Sequence, residues 1–368
     1  MGKRLGIDLG STHSCSAYID ELGISRIVES LEGGTSTLSA VFFDSTTKEF
    51  VVGDMAEEEG ILYPENLIRC IKNHIGDSTY MINFDGQDYS SQAIASLILK
   101  KLILDAETHF GDEEIEGVVL SCPVYWGDVG RESLINAAKS IMLAKNKPLN
   151  VIGVVTDVEA ISRAYVDFYR DNYQKNILIY DLGGGTFDAA VVKLNADQGK
   201  IRIEVLAHNG EPYTGGMNWN HALTFYVLQE YCKLTGDDES ELMDDFDFPW
   251  FAQKIEKAKR ALSVKESTKI IVSFNGHKEI IEVSRDAFEA ETERYLDVTL
   301  RIVTEMMQNA KLTIEGDIDE VVLVGGASKM PQIRRRLQEE YNKPIVLFEP
   351  EFAVAKGAAI IANDFLVT

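Results

Sequence analysis

Cysteine pairs are missing from this chain. Its four cysteines, Cys15, Cys70, Cys122 and Cys232, form no C-x-x-C unit and no zinc spacing, which excludes a disulfide scaffold and a structural zinc site. They read as reduced, mostly buried thiols of a cytosolic protein. Long apolar runs are missing as well, and nothing approaches the length of a transmembrane helix. The N-terminus enters a strand almost at once, which leaves no room for a signal peptide. The expected location is therefore cytoplasmic, with no membrane partner. Positive charge is scarce: 36 lysines and arginines face 59 acids, for a formal net charge of −23. That balance argues against a nucleic-acid or anionic-membrane surface, either of which needs clustered cations. What is present is ordinary for a soluble globular protein, with 45% hydrophobic and 26% charged residues. At 368 residues the chain can hold two domains with substantial cores.

The most informative stretch is Asp181-Leu182-Gly183-Gly184-Gly185-Thr186-Phe187-Asp188. It lies between the apolar runs Asn176–Tyr180 and Ala189–Leu194, both of which read as strands. Three glycines in a tight connection let backbone approach a ligand, and successive N–H groups there form a concavity suited to phosphate. Thr186 adds a hydroxyl. Asp181 would repel a bare phosphate but suits one that carries Mg2+. Alone, such a turn could as easily bind nothing. The pattern recurs, however, at Leu5-Gly6-Ile7-Asp8-Leu9-Gly10-Ser11-Thr12-His13, roughly half a chain earlier. Two such turns predict a duplicated architecture in which each lobe points a phosphate hairpin at a shared cleft.

In chain order, strands are expected at Ser25–Ser30, Ala40–Phe43 and Glu49–Val52, and a helix near Met55–Glu59. Pro64–Gly76 reads as a short helix and loop, with Lys72 by spacing a solvated surface lysine. A helix over Gln92–Phe110, a strand at Val118–Ser121, a helix over Val129–Leu143, a strand at Val151–Val155 and a helix over Val158–Tyr169 make an α/β lobe. In the second half, Ile201–Ala207 is a strand. Gly215-Gly216 opens a helix to Cys232, where glycines at a helix N-terminus would let N–H groups reach an anion; an ordinary loop is the other reading. Asp237–Asp247 is acidic and reads as exposed. Phe251–Leu262 is a helix on which Glu256 and Lys259 share a face, locally no more than a surface ion pair. Lys269–Phe274 and Glu279–Val283 form a hairpin around Asn275-Gly276. Ser284 caps a helix to about Asn309. Glu320–Val324 is a strand, Pro331–Tyr341 a helix with proline in its first turn, and Ala353–Phe365 a helix rich in small residues.

Taken together, Gly6–Cys15, Tyr180–Asp188, Ile255–Ser263, Val321–Pro331 and the turn Ser121–Trp126 resemble the ATPase domain of DnaK-type, seventy-kilodalton heat-shock chaperones, within the actin and sugar-kinase ATPase superfamily. The resemblance runs over essentially the whole chain. It implies an α/β, two-lobed actin-like ATPase fold with duplicated ribonuclease H-like lobes, mixed sheets and flanking helices. Residues 1–172 would form lobe I, with the helix 351–368 packing back on it, and 173–350 lobe II. It also implies ATP or ADP with Mg2+ as ligands.

Site residues follow from the same resemblance. Asp8 and Asp181, with Asp157, would hold the metal through its waters. Gly10, Ser11, Thr12 and His13 would wrap the phosphates from one side, and Gly183, Gly184, Gly185 and Thr186 from the other. Gly215 and Gly216 match a turn near the ribose. Glu256, Lys259, Arg260 and Ser263 match one wall of the adenosine pocket. Gly325, Gly326, Ala327 and Lys329 match the other, with Glu351 where the family has an aspartate. Lys72 matches the lysine that positions the attacking water, so the resemblance moves it from the surface into the catalytic set.

The chain departs from the family pattern at several points. Asn-Glu-Pro-Thr becomes Thr156-Asp157-Val158-Glu159, and the carboxylate at Asp157 reaches one methylene less far. The arginine that couples to J-domain cochaperones is Gly153, which weakens the case for that partner and leaves a nucleotide exchange factor as the candidate. Gly-Gly-Glu-Asp-Phe-Asp becomes Gly215-Gly-Met-Asn-Trp-Asn220, and Ala327 replaces a serine. No peptide-binding domain follows within the 368 residues, so both an excised domain and a stand-alone form stay open. The leading expectation is a slow ATPase module of a chaperone. Alternatives are a catalytically weakened, nucleotide-gated scaffold for a partner protein and, with less support, an actin-like filament protein.

Overall fold

The computed structural model describes residues 2–169, 173–197, 200–238, 249–274 and 276–365. Two sheets built on one plan organise the chain. In the first, Lys3–Asp8 runs antiparallel to His13–Ile19, which pairs onward with Ser25–Ile27. On its other side it runs parallel to Ile115–Cys122, which pairs with Val151–Thr156. In the second, Tyr173–Leu182 takes the central place. It is antiparallel to Phe187–Asp197 and then Lys200–Glu211, and parallel to Glu320–Val324 and then Ile345–Leu347. Antiparallel neighbours need only a tight turn, whereas parallel ones arrive through crossovers that place helices on the sheet faces. Even the register repeats, with Asp8 opposite Cys15 and Asp181 opposite Asp188. The duplication expected from two Asp-Leu-Gly turns is thus a duplication of sheet topology.

Local chemistry explains the elements. Glu320–Val324 is buried along its whole length, as a strand covered on both faces should be. Helix Ser91–Phe110 buries Ile94, Ile98, Leu102 and Ala106, one stripe at helical spacing. Ser284 Oγ accepts from the Ala287 N–H and caps the long helix Arg285–Ala310 as expected. The three largest apolar clusters among the described residues are these. One lies under the second sheet around Trp219 and Phe251, and one under the first sheet around Ile98 and Leu120. A third joins Val119 of the first sheet to Ile179 and Val322 of the second through Tyr165 and Ala358.

The C-terminal helix Ala353–Asp364 lies on the first sheet and against helix Asp157–Tyr169. A Cβ on Gly357 would sit 1.8 Å from the Ala160 carbonyl oxygen, and one on Gly6 2.0 Å from the Ala359 nitrogen. Small residues there permit backbone-to-backbone packing that no larger side chain allows.

Some expectations are corrected. Pro64–Gly76 is two short 3-10 turns, Pro64–Asn66 and Ile71–His74, around a strand Leu67–Arg69 that pairs with Ala40–Phe42. Three residues are too few to show a period, and their partner is far away in sequence. The strand Ile345–Leu347 is a further short one with a distant partner, and the hairpin Met81–Phe84/Gln87–Ser90 has strands of only four residues, too short to show a clear period. The helix expected over Val129–Leu143 is Asp128–Lys139; it stops where Ser140 Oγ donates back to the Ala137 carbonyl and Ile141 turns to pair with Leu149. Most of the acidic stretch Asp237–Asp247 lies outside the described residues, as does Asn275.

Candidate functional site

The two glycine hairpins face each other across one cleft. A Cβ added to Gly184 would lie 2.1 Å from Thr12 Oγ1, and one added to Gly185 2.8 Å from Ser11 Cβ. Each hairpin is braced within itself. Gly10 N–H donates to Ser14 Oγ at 3.1 Å while Ser39 Oγ donates to the Gly10 carbonyl at 2.7 Å, and Gly183 N–H donates to the Thr186 carbonyl at 3.0 Å. Among the described residues, the N–H groups of Ser11, Thr12, Gly184 and Gly185 donate to no protein acceptor. They are four uncommitted donors at two facing tips, and such groups can hold phosphate oxygens.

Below the tips sits a buried cluster of charge. Lys72 is 7% exposed. Its Nζ donates to Asp157 Oδ2 at 3.3 Å and lies 3.9 Å from Asp8 Oδ1. The surface reading of Lys72 is therefore overturned: Cys70, in left-handed conformation (φ 56°), starts the 3-10 turn Ile71–His74 and turns Lys72 inward. Burial alone would neutralise the ammonium, but the charges of Asp157, Asp8 and Asp188 outweigh it and hold Lys72 well above an ordinary lysine. Burial pushes the Asp8 carboxyl up to about 6, with Lys72 opposing and Asp157 adding. Burial, with Asp157 nearby, raises Asp188 to about 7, and burial with Asp188, Asp157 and Asp8 around it raises Asp181 well above the usual carboxylate range.

Asp188 belongs to this cluster and was not singled out from sequence. The usable signal was register, since it sits opposite Asp181 in the ladder. Asp157 is held by a cap at the start of its helix. Thr156 N–H and Oγ1 both donate to Glu159 Oε2, and Glu159 N–H donates back to Thr156 Oγ1. This Thr-x-x-Glu capping box fixes the first turn of helix Asp157–Tyr169.

The residues present fit a hard divalent cation. Asp157 Oδ1 and Asp188 Oδ1 are buried without a hydrogen-bond partner, and carboxylate oxygens are the donors Mg2+ takes. Among the described residues no three acidic, His or Cys side chains converge closely enough to coordinate an ion directly.

The residues that the resemblance assigns to the adenosine pocket gather beside the second hairpin. Glu256 Oε2 lies 2.7 Å from Lys259 Nζ and accepts from Asn220 Nδ2 at 2.8 Å, and Glu256 Oε1 accepts from Arg260 Nε at 2.8 Å. The pair is not a surface ion pair, because Lys259 is buried. Burial opposes the Glu256 charge, yet Lys259 and these donors hold the carboxyl down to about 2. Burial lowers Lys259, against the pull of Glu256. Arg260 reaches His13 electrostatically across the cleft, although burial is the larger cause of that imidazole's lowered pKa. Lys259 Nζ also donates to the Gly216 carbonyl at 3.0 Å, and Ser263 Oγ to the Lys259 carbonyl at 3.4 Å. Opposite, Lys329 Nζ pairs with Glu351 Oε1 at 2.6 Å, near Gly326. Gly325 has φ 82°, and a Cβ there would meet the Leu182 carbonyl at 2.2 Å and Asp181 Oδ1 at 2.6 Å. Only glycine serves at that crossing. Ala327 is buried beside Gly216.

Gly215 and Gly216 do not act as an anion-binding helix start. Gly215 N–H donates to Asn218 Oδ1, Gly216 N–H to the Gly183 carbonyl at 2.9 Å and Met217 N–H to the Gly184 carbonyl at 2.8 Å. These donors anchor the second hairpin instead. Gly153 lies on the edge strand Val151–Thr156, with the Phe365 ring 3.4 Å from where its Cβ would be.

Fold and site together define a two-lobed protein that presents paired glycine hairpins over a shared acidic cleft. A family model described as Hsp70 protein matches residues 4–365, and the chain belongs to the Hsp70 family, with its actin-like ATPase fold. Relatives named Chaperone protein DnaK from Thermotoga petrophila, Thermotoga maritima and Thermotoga neapolitana are each 33% identical over 366 residues. The alignment covers 97% of this chain and 59% of each relative, so the chain spans under two thirds of their length. No helix among the described residues is long and apolar enough to cross a membrane.

Proposed function

We propose that the chain is the ATP-binding and slowly ATP-hydrolysing module of a heat-shock-70-type chaperone. Lobes 1–172 and 173–350 would close on the nucleotide, with the helix from 351 belonging to the first. The observation that carries this reading is Lys72, an ammonium buried among carboxylates directly beneath two facing glycine hairpins.

The roles follow from the chemistry of each group. Phosphoryl transfer needs charge neutralisation and an aligned nucleophile more than it needs covalent catalysis. Donors from Ser11, Thr12, Gly184 and Gly185 would bind phosphate oxygens, with Gly10, His13, Gly183 and the Thr186 hydroxyl shaping that grip. Asp8, Asp181, Asp157 and Asp188 would hold the metal through its waters, and Mg2+ when bound supplies the positive charge that offsets the phosphates. Lys72 stays protonated at working pH, so it cannot act as a base; it would neutralise charge and orient a water. Glu256, Lys259, Arg260 and Ser263 would line one side of the nucleoside, and Gly325, Gly326, Ala327, Lys329 and Glu351 the other. The tips touch at Thr12 and Gly184, so a phosphate enters only as the lobes part, and reclosure would set the slow step. An exchange factor that holds the lobes apart fits this cycle. With Gly153 beneath Phe365, a J-domain protein would find no arginine at that point of the edge strand.

Single-turnover hydrolysis by the wild type and by Lys72→Ala tests the reading. The variant is expected to keep ATP binding while hydrolysis falls about a hundredfold or more. Unchanged hydrolysis removes Lys72 from the mechanism.

A further inference from the structure

Asn73 follows Lys72 on the same 3-10 turn, bonds to the first hairpin and lies near the second. Its Oδ1 accepts from Ser11 Oγ at 3.1 Å. Its Nδ2 lies 3.9 Å from the point a Cβ on Gly185 would occupy, and among the described residues it donates to no protein atom. Ser11 is itself 7% exposed, so the carboxamide is anchored at one end. An amide has one acceptor and two donors. The acceptor is committed to the first hairpin, which leaves the Nδ2 donors uncommitted near Gly185 of the second.

We propose that Asn73 is a specificity-determining residue that recognises the outermost phosphate of the nucleotide, so that the chain separates a triphosphate from a diphosphate. The inference rests on the nucleotide reading above. Ser11 holds the carboxamide in one orientation, which leaves Nδ2 as a neutral donor for an anionic oxygen in the gap between the tips. The hairpin N–H groups would hold other phosphate oxygens. The residue that enters the gap from the Lys72 side meets whatever extends furthest toward Lys72. A neutral amide suits a place where acids crowd, because it donates without adding a second buried cation beside Lys72.

Equilibrium titration of the intact chain with Mg-ATP and with Mg-ADP, for the wild type, Asn73→Asp and Asn73→Ala, tests this, with melting temperatures without nucleotide as the folding control. Asn73→Asp keeps the acceptor for Ser11 but replaces the donor with an anion. It is expected to weaken ATP about tenfold or more, the size of a lost hydrogen bond to a charged group, and ADP less than about threefold. Asn73→Ala should shift the ratio the same way by a smaller amount. Equal losses for ATP and ADP, or no loss, in a variant that melts like the wild type overturn the proposal and leave the nucleotide reading intact. A wild-type chain that binds neither nucleotide overturns both.

Discussion

Asp188 shows at the level of one residue how the site trades stability for chemistry. Its carboxyl is buried with one oxygen unpartnered, and its pKa lies near 7. An unfolded aspartate ionises near 4. Between those values the folded chain holds the proton and the unfolded chain releases it, so the Asp188 contribution to stability is present at low pH and is lost as pH rises through about 7. Asp188→Asn removes that titration without changing shape. In chelator and without nucleotide, the variant is expected to melt roughly 2–4 °C above the wild type at pH 8, and the gap should close toward pH 5. A gap that grows on acidification contradicts the assignment. The residue scale is also where sequence was least informative. Lys72 looks like a surface lysine because its burial depends on the left-handed Cys70 and on carboxylates from three distant segments. Asn73 carries no local pattern, and the Thr156–Glu159 capping box, though a local one, is read here only from the structure.

Among elements, the C-terminal helix is the sharpest case. Helix propensity alone says that replacing Gly357 by alanine should stabilise by about 1 kcal/mol. The structure says the opposite, because the new methyl would overlap the Ala160 carbonyl. Gly357→Ala is expected to lower unfolding free energy by about 1–3 kcal/mol, the usual cost of overpacking, as measured by denaturant titration. A more stable variant would show that the two helices are further apart than described here. Helices such as Ser91–Phe110 and Pro331–Tyr341 are readable because burial on one face leaves a periodic trace, and the strand Glu320–Val324 because burial on both faces leaves an apolar run. Leu67–Arg69 and Ile345–Leu347 were not, since a three-residue strand is defined by its partner. Gly215-Gly216 was legible as a turn but not in its role: which acceptor takes a helix's first N–H groups depends on what lies opposite, here the second hairpin.

Over the whole molecule, the repeat of one five-strand plan explains why two similar turns meet. The same strand order places each Asp-Leu-Gly turn at the same corner of its sheet, and the apolar cluster around Tyr165, Ile179 and Ala358 sets the two sheets so that those corners face. That much was foreshadowed by two short motifs half a chain apart. The central claim is that the gap between the tips is a nucleotide site. The most direct measurement is a crystal structure of the chain with Mg2+ and a non-hydrolysable ATP analogue. The account predicts phosphates between Gly10–His13 and Gly183–Thr186, with the metal's water shell meeting Asp8 and Asp181. A nucleotide bound elsewhere, or none at millimolar analogue, would contradict it.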